Sequence, residues 1–87
     1  MPSFTLPSGR AVELKERPKW GDIKAAINAG LASEAKGEHY GFAKATELNA
    51  RMTGLTVADI DDLDAADEEA LSAEVAKRSA PNPEPQL

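Results

Sequence analysis

No cysteine occurs anywhere in the 87 residues, and that absence constrains the fold more than any other feature. A chain this short buries only roughly 60% of the surface its unfolded form exposes, so small domains commonly lean on disulfides or a structural metal. Without a thiol there is no disulfide framework, no thiolate zinc site and no cysteine nucleophile. The single histidine, His39, likewise excludes a His-rich metal site and any triad that needs a second imidazole. The core must come from the 41% of hydrophobic residues, among which only Phe4, Trp20, Tyr40 and Phe42 are aromatic. Pro81, Pro83 and Pro85 remove residues 80–87 from the folding unit as a disordered, Pro-rich tail, leaving 1–79 as a single small domain. No apolar run approaches the ~18 residues of a membrane span, and Met1-Pro2-Ser3 does not begin a signal peptide. The composition describes a cytosolic, globular chain, non-catalytic and without a cofactor.

Residues 3–15 read as a β-hairpin. Phe4 and Leu6 share one face by the two-residue strand period, as do Val12 and Leu14, with Ala11 a weak member. Between them, Pro7-Ser8-Gly9-Arg10 is a turn in which Pro presets φ and Gly accepts a positive φ. A lone two-stranded hairpin is marginal in water, so it must lie on helices or pair with another chain. Arg17 before Pro18 is held out of helical geometry, which ends the second strand. A helix over about 20–31 follows, with Trp20, Ile23, Ile27 and Leu31 on one apolar face and Gly30 at its fraying end. The polar, aperiodic interval Ser33–Gly41 reads as a loop. A second helix over about 42–53 carries Phe42, Ala45, Leu48 and Met52 as its stripe and stops at Gly54, with Leu55 behind it. Thr56 and Asp59 have capping-box spacing and open a short turn over 57–62. Asp64 and Asp67 repeat the signal and open a helix over 65–79, with Ala66, Ala70, Leu71 and Val75 inward and Lys77 and Arg78 in its last turn. The expected class is α+β, mainly α, with an N-terminal β-hairpin packed on a small bundle of about three helices.

Ten basic residues against fifteen acidic ones give a net charge of −5, which argues against a nonspecific nucleic-acid binder. The charge is uneven: Arg10, Lys15, Arg17, Lys19 and Lys24 lie near the start, while eight acids and no base fall between Asp59 and Glu74. That run, with Asp61 and Asp62 near its start, is either a solvated helix face or a docking surface for a basic partner. It does not make a calcium loop. Starting from Asp59, the sixth and twelfth positions hold Asp64 and Ala70, where an EF-hand needs Gly and Glu; starting from Asp62 they hold Asp67 and Ala73. No metal site is expected. His39 reads as a surface residue of the loop. Trp20 either packs on the hairpin or stands partly exposed as a partner anchor, a role in which Trp is enriched. Trp20, Ile23, Ile27 and Leu31, with Asp61 and Asp62, are the candidate partner-binding residues.

The order of elements resembles the tail assembly chaperones of long-tailed bacteriophages over residues 3 to 76. A hairpin with its turn at Gly9 leads to Glu16-Arg17-Pro18 and to Asp22 opening a helix. Later comes Met52-Thr53-Gly54-Leu55-Thr56, then Asp59-Ile60-Asp61-Asp62-Leu63-Asp64-Ala65-Ala66-Asp67. Thr53, Gly54, Leu55, Ile60, Leu63 and Asp67 fall at the family's places, and Gly9, Pro18, Thr56 and Asp64 carry the surrounding structural motif. Glu16-Arg17-Pro18 departs from the family's usual Arg-Glu-Pro order. The resemblance implies a non-catalytic chaperone that coats the tape-measure protein and recruits tail tube subunits in the cytoplasm of the infected bacterial host, then leaves before the virion matures. It also implies that a longer form can arise by frameshifting. Self-association is open to a protein acting in many copies. The alternatives are a small structural or adaptor protein of a virion or similar assembly, and an acidic regulator masking a basic partner.

Overall fold

The tetrad around Gly9 closes the hairpin as its residues require. In the computed structural model, which describes residues 3–80, β1 (Ser3–Thr5) pairs antiparallel with β2 (Ala11–Glu13), placing Phe4 opposite Val12. Gly9 takes φ +94°, and the turn is closed at 2.8 Å by Leu6 N–H on Arg10 O and by Gly9 N–H on Leu6 O. Leu6, Val12 and Leu14 are buried, and Phe4 packs half-buried on the same cluster. Four helices follow: α1 (Trp20–Ala35), α2 (Tyr40–Thr53), α3 (Val57–Asp61) and α4 (Ala65–Ser79). The core is the sheet's inner face closed by Ala50 and Met52 of α2, Ile60 of α3, and Leu71 and Val75 of α4. The Pro-rich tail expected at 80–87 lies, from residue 81 on, outside the described residues.

Helix α1 runs past the expected end at Leu31, and Gly30 does not fray it. Its stop is at Gly37, which takes φ +82°. Glu38 N–H reaches back to Ser33 O at 2.9 Å and Gly37 N–H to Glu34 O at 3.0 Å, the paired bonds of a Schellman motif. The interval expected as a loop therefore contributes Ser33–Ala35 to α1. At its other end His39 caps α2, its Nδ1 accepting from Gly41 N–H at 3.1 Å and Phe42 N–H at 3.3 Å. The stop at Gly54 is as expected: φ is +76°, and its N–H donates to Ala50 O at 2.8 Å. Thr56 and Asp59 form the expected reciprocal box, both bonds at 3.1 Å. The N–H of Thr56, followed by its hydroxyl, holds the Asp59 carboxyl below its ordinary range.

The second capping signal fails. Asp64 sits at the N-cap of α4 without a side-chain bond, and Asp67 does not reach back to it. Asp67 is buried and turned toward the hairpin, accepting from Ser8 N–H at 3.0 Å and Ser8 Oγ at 2.6 Å. The spacing suits a box, but the hairpin turn supplies two stronger donors to the same carboxylate. The inward face of α4 is accordingly Asp67, Leu71 and Val75, with Ala70 half-buried and Ala66 exposed. Arg78 does more than complement a dipole. Its Nη1 donates to Lys15 O at 3.0 Å while its Nε pairs with Glu74 at 2.8 Å, tying the end of α4 to the exit of β2. On α2, Asn49 is buried against α4, donating to Ser72 Oγ at 2.9 Å.

The largest departure from the sequence reading is the orientation of α1. Its buried residues are Asp22, Ala26 and Gly30, not Trp20, Ile23, Ile27 and Leu31. These small residues let α1 lie close against α2: a Cβ on Gly30 would stand 2.7 Å from the Tyr40 ring and 3.0 Å from Tyr40 O. Asp22 anchors the N-terminal end. Its carboxylate accepts from Lys19 N–H at 3.0 Å and Lys15 Nζ at 3.1 Å, and Arg51 Nη1 lies 3.6 Å away. Burial works to raise the Asp22 carboxyl, but the Lys19 N–H, Lys15 and Arg51 overcome it and hold the group below its ordinary range.

Candidate partner-binding surface

Among the described residues every buried side-chain polar atom has a hydrogen-bond partner, and no three His, Asp or Glu side chains converge as metal ligands. No helix of the described residues is long and apolar enough to cross a membrane. What the fold leaves unsatisfied is apolar and on the outside. Trp20 is 67% exposed, Leu31 52%, Phe42 73% and Val57 42%. These are the large apolar side chains that stay in water among the described residues.

They fall on two surfaces. The first surrounds Phe42. This residue was expected to lead the inner stripe of α2, but it sits in the first turn, before the helix meets the core, and its ring stacks on His39 at 4.2 Å between centroids. On one side Phe42 borders a groove of about 330 Å³ floored by Ala45, Ile60 and Leu63 and edged by Asp61 and Glu68. On the other it borders an open concavity of about 410 Å³ shared with Val57, Thr46 and Glu38, again with Asp61 at the margin. The surface is thus an exposed ring shared by two open depressions, one lined mostly by apolar residues and the other of mixed polarity, each with acidic residues in its lining.

The second surface is the outer edge of α1. Trp20 is mostly exposed and outside the core cluster, and along its expected stripe Ile23 and Ile27 are half-buried while Trp20 and Leu31 at the ends are exposed. The structure therefore brings Asp61 together with Phe42 and Val57, sets exposed Asp62 just after it at the cap of α3, and leaves the α1 stripe as a separate patch. Phe42 and Val57 escaped the sequence reading. The available signal was their position at helix starts, beside the caps His39 and Thr56, where an apolar side chain has no preceding turn to pack on. A third groove, between α2 and α4, is lined by Tyr40, Leu48, Val75 and Ala76 with Lys44 at its mouth.

Residues 10–78, most of the chain, match the family model described as phage tail assembly chaperone proteins, E, or 41 or 14. No curated protein and no solved structure matches the chain.

Proposed function

The chain belongs to the phage tail assembly chaperone family, and from that premise we propose that it holds the tape-measure protein at the Phe42 surface and recruits tail tube subunits to it during tail assembly. The observation that carries this reading is the acid-edged apolar surface itself. Exposed Phe42 lines two depressions, one with Ala45, Ile60 and Leu63 and the other with Ala43 and Val57, and Asp61, Glu68 and Glu38 are in their linings. An amphipathic helix with an apolar stripe and basic flanks fits such a surface, its stripe over Phe42 and Val57 and its cations over the acids. Asp62, exposed beside Asp61, extends the acidic margin. The role is non-catalytic: the client's apolar faces are covered until tube subunits replace the chaperone. One small surface per copy gives weak binding at each site, and many copies along a long client supply the avidity. Net charge of −5 keeps the loaded complex soluble.

The test is co-expression with the tape-measure protein, followed by size-exclusion chromatography with light scattering. The client should remain soluble in a complex with several chaperones. Phe42→Ala, which removes an exposed side chain and leaves the fold intact, should weaken binding about 10- to 100-fold, the equivalent of ~1.5–3 kcal/mol. Precipitation of the client in the presence of wild-type chaperone would overturn the reading. Binding that survives Phe42→Ala but collapses between low and moderate salt would favour an acidic mask on a basic partner. Mass spectrometry of purified particles addresses the protein's fate: a chaperone is absent from them, and a structural subunit or adaptor remains.

A further inference from the structure

His39 does two things at once at the start of α2. Its Nδ1 accepts from Gly41 N–H at 3.1 Å and Phe42 N–H at 3.3 Å, and the same ring stacks on Phe42 with 4.2 Å between centroids and 27° between planes. The chain on either side is fixed. Glu38 N–H is tied to Ser33 O at the end of α1, and the Tyr40 ring lies against Gly30. Gly41 leaves the imidazole its room, since a Cβ there would stand 3.2 Å from Cε1 and 3.4 Å from Nδ1. The cap alone does not call for this residue, because Asn, Asp, Ser and Thr are the side chains that cap helices best. What histidine adds is a ring. That ring lines the concavity Phe42 shares with Val57, so it stands at the exposed surface.

We propose that His39 is the positioning residue of the Phe42 surface, its capped imidazole holding the Phe42 ring in the outward pose that the client meets. The role presupposes the client reading above, in which Phe42 is the residue the client covers. Phe42 is 73% exposed, and an exposed side chain left to itself changes rotamer on a picosecond-to-nanosecond scale. A partner that covers it must then immobilise it, at an entropic cost. Here the ring is held before the client arrives. Two backbone N–H bonds fix the imidazole, and the imidazole gives one face of the Phe42 ring a place to rest, leaving the other for the client's apolar stripe. Asn or Ser in place of His39 would satisfy the same N–H groups and leave the Phe42 ring unsupported.

Fluorescence anisotropy of the full chain with a labelled amphipathic segment of the tape-measure protein, run beside urea titration, separates the ring from the cap. His39→Asn keeps an acceptor for the two N–H groups and removes the ring. Its urea midpoint should stay within about 0.5 M of the wild type while client affinity falls about 3- to 10-fold, the range set by immobilising one side chain. His39→Ala loses both ring and cap, so its midpoint should fall by about 1 M with the same loss of affinity and no more. A residue that served only as a cap would leave His39→Asn binding like the wild type. In a Phe42→Ala background His39→Asn should weaken binding no further, because it acts through Phe42. In the free chain, proton NMR should show the Phe42 ring resonances displaced by the stacked imidazole, and the displacement lost in His39→Asn. Wild-type affinity in His39→Asn, additive losses with Phe42→Ala, or Phe42 resonances indifferent to His39→Asn would each overturn the proposal. Wild-type affinity in Phe42→Ala would overturn the client reading of this surface as well, whereas a loss there without one in His39→Asn would overturn the proposal alone.

Discussion

Replacing Asp67 with alanine should cost more stability than any other change at a carboxylate in this chain. Asp67 is 4% exposed and accepts two hydrogen bonds from Ser8, at 3.0 Å from the N–H and 2.6 Å from the hydroxyl. These are bonds between residues 59 positions apart, so they hold the hairpin turn to the first turn of α4. Hydrogen bonds to a charged acceptor contribute about 1.5–3 kcal/mol each, but Ser8 is at the surface and water will satisfy its donors once the carboxylate is gone. Removing a buried charge also returns some desolvation cost. A net loss of about 2–3 kcal/mol follows, a large fraction of what a domain of this size has. With an m-value of about 1 kcal/mol/M, the urea midpoint should fall by roughly 2–3 M. Far-UV circular dichroism is the appropriate probe, since Trp20 is mostly exposed in the native state and reports little of unfolding by fluorescence. Asp67→Asn keeps an acceptor for the Ser8 N–H and offers its amide to the hydroxyl oxygen, so it should cost about 1 kcal/mol, and Ser8→Ala about the same. Because Ser8 acts through Asp67, the double variant Ser8→Ala/Asp67→Ala should be little worse than Asp67→Ala alone. A loss under about 0.5 kcal/mol for Asp67→Ala, or additive losses in the double variant, would refute the claim that this contact ties the hairpin down.

Gly30→Ala gains roughly 0.8–1 kcal/mol of helix propensity, yet its methyl would stand 2.7 Å from the Tyr40 ring, so thermal melting should show a net loss of about 1–2 kcal/mol as α1 is levered off α2. Gly54→Ala meets no atom within 4 Å and should lose only the αL strain, about 1 kcal/mol in urea titration, which separates conformational from steric glycine. The Asp22 carboxyl is held below the ordinary carboxylate range in the fold, so its contribution is present above the unfolded value of about 3.8 and is lost as pH falls through the lower folded value. Urea midpoints measured from pH 6 down to pH 2.5 should decline less steeply in Asp22→Asn than in the wild type; parallel curves would show that Asp22 carries none of the acid sensitivity.

Local rules made several elements legible. The hairpin turn needs Gly9 in a positive-φ conformation and is closed by bonds within five residues, so no distant contact is required to specify it. The same holds for the stop at Gly54 and for the Thr56–Asp59 box, each completed by neighbours in the chain. Where the reading failed, two local solutions were equally good. Positions 20, 23, 27 and 31 make an apolar face, but positions 22, 26 and 30 make a face of equal periodicity. Size alone favoured the first as the inner one. The second won because Ala26 and Gly30 allow the backbones of α1 and α2 to close over Tyr40, and because Lys15 and Arg51 converge on Asp22. Asp67 was misread for the same reason, its capping spacing being real and its better donors lying on another element.

Taken alone, the order and spacing of residues determined the α+β class, the hairpin and its turn, the helix stop at Gly54 and the family to which the chain belongs. Those properties arise from backbone bonds and φ preferences among near neighbours, which tertiary contacts do not need to supply. Only the assembled structure decided which face of α1 is covered, that Phe42 and Val57 stand outward beside Asp61, and that Asp67 serves the hairpin. Each of those outcomes is a competition for the same side chain between elements far apart in sequence, and it is settled by how closely their backbones can approach.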